Sequence, residues 1–361
     1  MKNLIIFLLL IMSILPISAK DKTAPLAAYL KDSTWYFVDY SGKEIFHSSR
    51  IAELRGFREG LYRVTMHSSP TRSYWVFLHQ DGSIAFRPNS AVVEDFYDGR
   101  ALSARKNMWS KDMQVFGYYD KNGNEVIKHQ YDDATFFSHG LAYVYNQDES
   151  GFINKKGKMV IPLKDRAANP FSEGLAPVNT KEFKVGFIDT TGKLVIDYQF
   201  DEAEMFSEGK CAVHVEGYFA YIDKTGKMFV QPTYDFAQPF HENYAFVAIA
   251  EDRHRYAKPQ WGFIDTTGKL VCELKYKAAK QFSEGLAAVM TKDDKWGFIS
   301  YKDSLVIPDK FDMLFPFKDG LAWAEIRDEN KYGFINKEGE WEILFDNPKQ
   351  VFDLRWNKRV K

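Results

Sequence analysis

A short aromatic strand, a turn closing on glycine and a second apolar strand return from one end of this chain to the other. That tandem self-similarity constrains the fold more than any other feature. The clearest copy runs Trp261-Gly262-Phe263-Ile264-Asp265-Thr266-Thr267-Gly268-Lys269-Leu270-Val271, and residues 187–196 and 331–339 repeat it closely. A unit this small cannot bury its apolar face alone, so neighbours must stack and share a core. The 361-residue length would by itself suggest about two domains. An array grows without a single core, and the repeat overrides that prior.

Nine units follow one another, with first strands beginning near Leu26, Leu61, Arg100, Leu141, Leu175, Lys210, Tyr244, Leu286 and Leu321. Each continues through an aromatic second strand, a turn, a third strand and a connector. The turns close on Gly42, Gly82, Gly123, Gly157, Gly192, Gly226, Gly268 and Gly339, with Asp303 in the glycine place of the eighth unit. Asp-x-x-Gly suits a hairpin in which glycine supplies a positive φ, a conformation Asp also tolerates. Asp189, Asp223 and Asp265 are placed to accept from amides two residues on. One carboxylate per turn, with no second acidic ligand at a set spacing, points away from calcium.

The second strand carries Phe or Tyr at one phase in all nine units: Phe37, Phe77, Tyr118, Phe152, Phe187, Tyr221, Phe263, Phe298 and Phe334. The connectors bring Phe57, Phe96, Phe137, Phe171, Phe206, Phe240, Phe282 and Phe317, also at one phase. These rings are expected to form a stacking core between neighbours, each contributing roughly 1.5–3 kcal/mol of burial before entropy is counted. Gly117, Gly151, Gly186, Gly262, Gly297 and Gly333 beside the aromatic imply a close backbone approach.

The expected fold is all-β: a tandem array of about nine short antiparallel meanders. Two arrangements bury the aromatic layer. One is an open superhelical or incompletely closed stack; the alternative is a closed, propeller-like ring, which removes sheet edges. Nine units exceed the usual 4–8 blades, and about 35 residues is short for a four-stranded blade, so the reading leans to the open array. Val351-Phe352-Asp353-Leu354 resembles a last connector, and 347–361 is read as a cap or closing segment after an array spanning 20–346.

Most of the length variation falls between the first and second strands. That loop grows in unit two (Thr65 to Tyr74), unit three (Ala104 to Val115) and unit seven (Ala248 to Gln260). Insertions confined to one face of a repeat array often mark the binding face. The candidate binding residues are therefore His67, Arg72 and Tyr74; Met108, Trp109 and Met113; and Arg253, His254, Arg255, Tyr256 and Lys258. Large amphipathic side chains and arginine are what interface anchors use.

Familiar catalytic patterns are missing from the sequence. None of the eight histidines stands at a metal-ligand spacing from a second His or Cys. There is no Gly-rich phosphate loop and no Gly-x-Ser-x-Gly elbow. Glu59, Asp98, Glu173, Glu208, Glu242, Glu284 and Asp319 recur at one repeat position, which favours a turn role over acid–base work. No catalytic residue, metal ligand or cofactor site is assigned. A net charge of −1 carries no nucleic-acid footprint. Arg355, Lys358, Arg359 and Lys361 make a small basic end, read as a solvated terminus.

Lys2, the apolar run Leu4 to Leu15 and the small residues ending at Ala19 read as a signal peptide over 1–19. The expectation is a periplasmic or secreted chain without an integral membrane span. Cys211 and Cys272 fall on different strands of different units and read as buried hydrophobes rather than a bridge.

Lys295-Trp296-Gly297-Phe298-Ile299, and the Asp-x-x-Gly-Lys that follows this motif elsewhere, resembles the WG (or KWG) repeat of bacterial proteins. Ser150, Val185 and Phe219 stand where Trp is expected, and Ala220 replaces the glycine. The resemblance implies a β-rich repeat without a general enzymatic activity. The expected function is a non-enzymatic binding or scaffold module for a protein partner; the alternative is binding of a carbohydrate or envelope glycan.

Overall fold

The computed structural model describes residues 23–69, 71–106, 114–147, 149–163, 167–180, 182–252 and 257–361. The leader assigned to 1–19 lies outside them. Among the described residues every regular element is a strand. These strands form nine small antiparallel sheets arranged as the blades of a propeller.

Blade 4 shows the plan: Asp133–Ala134, Leu141–Tyr145, Ser150–Asn154 and Met159–Pro162 lie side by side in chain order. The connector supplies the short first strand of this sheet, on the inner side of the ring. It turns into the second strand through a two-residue loop, His139 and Gly140, both at positive φ. Ser138 and Leu141 exchange both backbone hydrogen bonds across that loop, at 2.8 and 3.0 Å. Two positive φ values match the twist of the flanking strands, which is why glycine recurs there. The glycine after the tryptophan answers a different need. A Cβ on Gly297 would lie 2.8 Å from Ile307 O, so the outer strand of its own blade runs against it. The outer strands face the rim, where Val160, Leu305 and Leu344 are exposed.

The aromatic phase becomes the inter-blade core. All nine second-strand rings are buried, as are the connector rings except the half-buried Phe57. Phe77 meets Phe96, Tyr118 meets Phe137, Phe152 meets Phe171, Phe187 meets Phe206, Tyr221 meets Phe240, Phe263 meets Phe282 and Phe298 meets Phe317. Their ring centroids are 4.6–5.1 Å apart. Each pair joins a blade to the next. Both cysteines are free and buried.

Of the two arrangements considered, the closed ring is the one realised, which corrects the lean towards an open array. Residues Pro25–Lys31 pair with Gln350–Asp353, from Ala27 opposite Asp353 to Leu30 opposite Gln350. The C-terminal connector is thus the inner strand of the first blade. Blade 1 packs on blade 2 through Trp35, Phe37, Tyr62 and Val64. It packs on blade 9 through Leu26, Val38, Trp323 and Phe334. The chain end then adds a fifth strand, Lys358–Arg359, on the inner side of this sheet. The basic end is not simply solvated: the Arg355 and Asp353 side chains are 2% and 0% exposed, 2.7 Å apart.

The insertions also differ from expectation. In units two and seven they are strand rather than loop. The pairing of Leu61–Ser69 with Arg72–Leu78 reaches Ser69 opposite Arg72, and that of Tyr244–Asp252 with Ala257–Asp265 reaches Asp252 opposite Ala257. Backbone groups in a long excursion need partners, and the two arms supply them to each other.

Candidate functional site

The antiparallel order sorts the loops onto two faces. In the four-stranded sheets, turns between strands one and two, and between strands three and four, emerge on one face. The hairpins between strands two and three emerge on the other. Blades 2 and 7 raise extended hairpins there, as fingers; residues 107–113 of the blade 3 insertion lie outside the described residues. Blade 7 lies four blades from blade 3, and four from blade 2 through blades 8, 9 and 1. The fingers therefore stand on opposite sides of the central opening.

On the blade 2 finger, His67 and Arg72 are exposed, with His67 paired opposite Ser73. Tyr74 is half-buried at the finger base, with the Arg87 guanidinium 4.9 Å over its ring. Lys258 on the blade 7 finger is 77% exposed and 3.5 Å from Glu251. Met108, Trp109, Met113, Arg253, His254, Arg255 and Tyr256 lie outside the described residues. The structure thus brings the blade 2 candidates onto one hairpin and sets Lys258 across the ring from them.

The opposite face carries the recurrent acids, and their role is larger than a turn. Six of the seven reach the backbone of the next blade. Glu59 accepts from Gly99 N, Asp98 from Gly140 N, Glu173 from Gly209 N, Glu208 from Asn243 N, Glu242 from Gly285 N and Glu284 from Gly320 N, at 2.6–3.2 Å. Asp319 instead accepts from the side-chain hydroxyl of Tyr40, on blade 1, at 2.7 Å. Serines bolt the same seams: Ser138, Ser172, Ser207 and Ser283 each donate to a phenylalanine carbonyl one blade on, at 2.6–2.7 Å. Burial raises the Asp98 and Glu173 carboxyls, but Lys155 with Gly140 N, and Lys224 with Gly209 N, outweigh it and hold both below the usual range. These acids are inter-blade clasps. Nothing in single-sequence spacing shows that their partner is one repeat away.

A cleft of ≈ 600 Å³ opens on this clasp face beside blades 9, 1 and 2, lined in part by Tyr40, Arg58, Asp319 and Trp356. It lies at the one blade assembled from both chain ends.

One polar cluster escaped the sequence reading. In blade 3 Ser103 Oγ lies 2.9 Å from His129 Nε2, and His129 Nδ1 lies 2.8 Å from Glu125, which also pairs with Arg105 at 2.9 Å. The order resembles a nucleophile, a base and its orienting carboxylate. Ser103 is 1% exposed and also bonds to Gly117 O at 3.2 Å, so its hydroxyl ties strands together. Among the described residues no group of three or more His, Cys, Asp or Glu is placed to hold a metal ion. No described helix is long and apolar enough to cross a membrane.

The model of the WG containing repeat matches residues 116–148, 151–182, 186–219, 219–249, 261–296 and 296–329, together more than half of the chain. Each match starts near the third strand of one blade and ends at or just beyond the second strand of the next. No curated protein matches the chain. Among solved structures, one titled as the eukaryotic initiation factor superposes with a TM-score of 0.63 at 10% identity, covering 92% of this chain and 98% of that one. The computationally designed Ika8 protein gives 0.46 at 11%, covering 81% and 98%. BamB from Moraxella catarrhalis gives 0.40 at 10%, covering 88% and 89%. The first of these likenesses is one of fold alone.

Proposed function

The chain belongs to the WG containing repeat family, and from that premise we propose that it is an exported, non-enzymatic binding or scaffold protein whose finger face holds a protein partner. The observation carrying this reading is the one-sided growth of the fingers. Blades 2 and 7 extend paired hairpins on the same face, on opposite sides of the central opening. The opposite face is consumed by seams, with its carboxylates and serines bonded between neighbours. A rigid ring presenting a few paired strands suits capture of a folded partner, since little order is lost on binding. Export rests on the leader read in residues 1–19.

The glycan reading finds less support. It needs the repeat tryptophans on the surface, yet Trp296 is 6% exposed. Trp261 is half-buried, with its centroid 5.7 and 5.4 Å from those of Phe236 and Phe246.

The test is cross-linking capture from the native envelope fraction with the full mature chain. Parallel variants would replace residues 249–260, or 66–73, by the short hairpin of blade 8, residues 291–295. Proteins retained by the parent and lost with a trimmed finger support the reading. The same set retained by every trimmed variant removes the finger face from consideration.

A further inference from the structure

We propose that a cavity between blades 8 and 9, beside the central opening, binds a small organic anion: a carboxylate carried on an apolar or aromatic body. The cavity holds ≈ 270 Å³, and its lining includes Phe246, Lys280, Phe315, Pro316, Trp356 and Lys358. Four parts of the chain build it. Phe246 comes from the second strand of blade 7, Lys280 from the inner strand of blade 8, and Phe315 from just beyond the inner strand of blade 9. Trp356 and Lys358 come from the C-terminal tail.

Two ammonium groups meet over one ring. Lys280 Nζ is 3.6 Å from the Phe315 centroid and Lys358 Nζ is 5.1 Å from it. An aromatic face attracts a cation but does not neutralise it. The polar contact of Lys280 is Met313 Sδ at 3.9 Å, and no carboxylate among the described residues forms an ion pair with either lysine. Glu325 is the acid whose field reaches Lys280. Its oxygens are already taken by Trp323 Nε1 at 3.1 Å and Arg327 Nε at 3.3 Å. Burial, with Lys358 beside it, pulls the Lys280 ammonium down to about 8. A half-buried cation facing a like charge is a setting in which an incoming anion gains.

The rest of the wall sets the body of the ligand. Phe246, Phe315, Pro316 and Trp356 offer apolar surface, and the Trp356 N–H is spent on Pro316 O at 3.3 Å. The volume falls just below the ~300–1,000 Å³ of drug-sized sites, which suits an acid of one or two rings. The finger face contributes nothing here, so this site and the partner reading stand or fall separately.

Titration calorimetry on the mature chain tests it, with benzoate and 2-naphthoate as probes against benzamide, 2-naphthamide and inorganic phosphate. The acids are expected to bind about tenfold or more tighter than their amides, the worth of one charge-assisted contact. Lys280→Met and Lys358→Met should each lose about that factor. Affinity for the acids should fall as pH rises past the Lys280 value, with proton uptake on binding, because the anion favours the protonated amine; Lys358 and Glu325 are the other charged groups facing it. The proposal fails if acids and amides bind alike, if neither acid binds, if phosphate binds as tightly as 2-naphthoate, or if a folded Lys280→Met keeps full affinity. Should Lys280→Met not fold, Lys358→Met on the exposed tail strand decides by the same comparison.

Discussion

The seam between blades 5 and 6 and the seam between blades 9 and 1 occupy equivalent places and use different chemistry. At the first, Phe187 packs on Phe206 at 5.1 Å, Ser172 donates to Phe206 O at 2.6 Å, and Glu173 accepts from Gly209 N at 2.9 Å. At the second, the Arg355 guanidinium takes the place of a phenyl ring, 4.8 Å over Phe334. Lys318 replaces the serine and donates to Arg355 O at 2.6 Å, and the partner of Asp319 is the Tyr40 hydroxyl at 2.7 Å. The difference follows from connectivity. Blades 5 and 6 are joined by a short connector, so their seam is local. The closing seam joins Leu30 to Gln350 across most of the chain. Loop closure costs about 0.6 kcal/mol per doubling of length, so about 3 kcal/mol more than for a connector of ten residues or so. A buried, fully bonded ion pair also has few geometrical solutions, which fixes where the last strand docks.

Removing residues 350–361 should break the contrast most completely. With the inner strand of blade 1 gone, the ring is expected to open and to unfold over a broadened transition. Small-angle scattering would show a larger radius of gyration; an unchanged radius and midpoint would mean the closing strand is dispensable. Arg355→Met comes next. It leaves Asp353 buried without its partner, and chemical denaturation should register a loss of about 3–5 kcal/mol. Exchanging the bolts sharpens the comparison at smaller amplitude: Lys318→Met should cost about 1.5–3 kcal/mol, against about 1 kcal/mol for Ser172→Ala. Equal costs would erase the distinction between charged and neutral seams.

The smallest effect is one of pH. Asp98 and Glu173 sit below the usual carboxylate range because Lys155 with Gly140 N, and Lys224 with Gly209 N, outweigh burial. Their folded values are depressed, so the stability they add is present above the ordinary range and lost as pH falls through the folded values. Asp98→Asn combined with Glu173→Gln should flatten the acid limb of thermal midpoint against pH, leaving the neutral plateau slightly lower. A limb of unchanged slope would show that these clasps do not report on acid unfolding.

Much of the fold was legible because it is periodic. Phe187 and Phe206 stand at fixed places in the unit, and their contact follows from stacking. The two-residue inner turn could be placed from its glycine. The ring was legible only as an alternative, through the connector-like Val351–Leu354; the chemistry of its closing seam was not, since the Arg355 guanidinium takes the place of a connector Phe ring. The extended fingers escaped because Thr65 to Tyr74 and Ala248 to Gln260 lack clean alternation, and strand pairing there is set by the opposite arm. Lys280 gave no signal at all: it sits in an ordinary connector, and Lys358 and Trp356 reach it from the far end of the chain.

The match windows of the family run from the outer half of one blade into the inner half of the next. A segment of that phase carries both faces of a seam in one piece. A tandem gene duplication of it would therefore add a blade together with a ready-made joint, and a deletion would remove both at once. Blade number can drift without any new interface having to be invented. The closing blade is exempt from this traffic, because its joint is written in two stretches more than 300 residues apart that must be kept together.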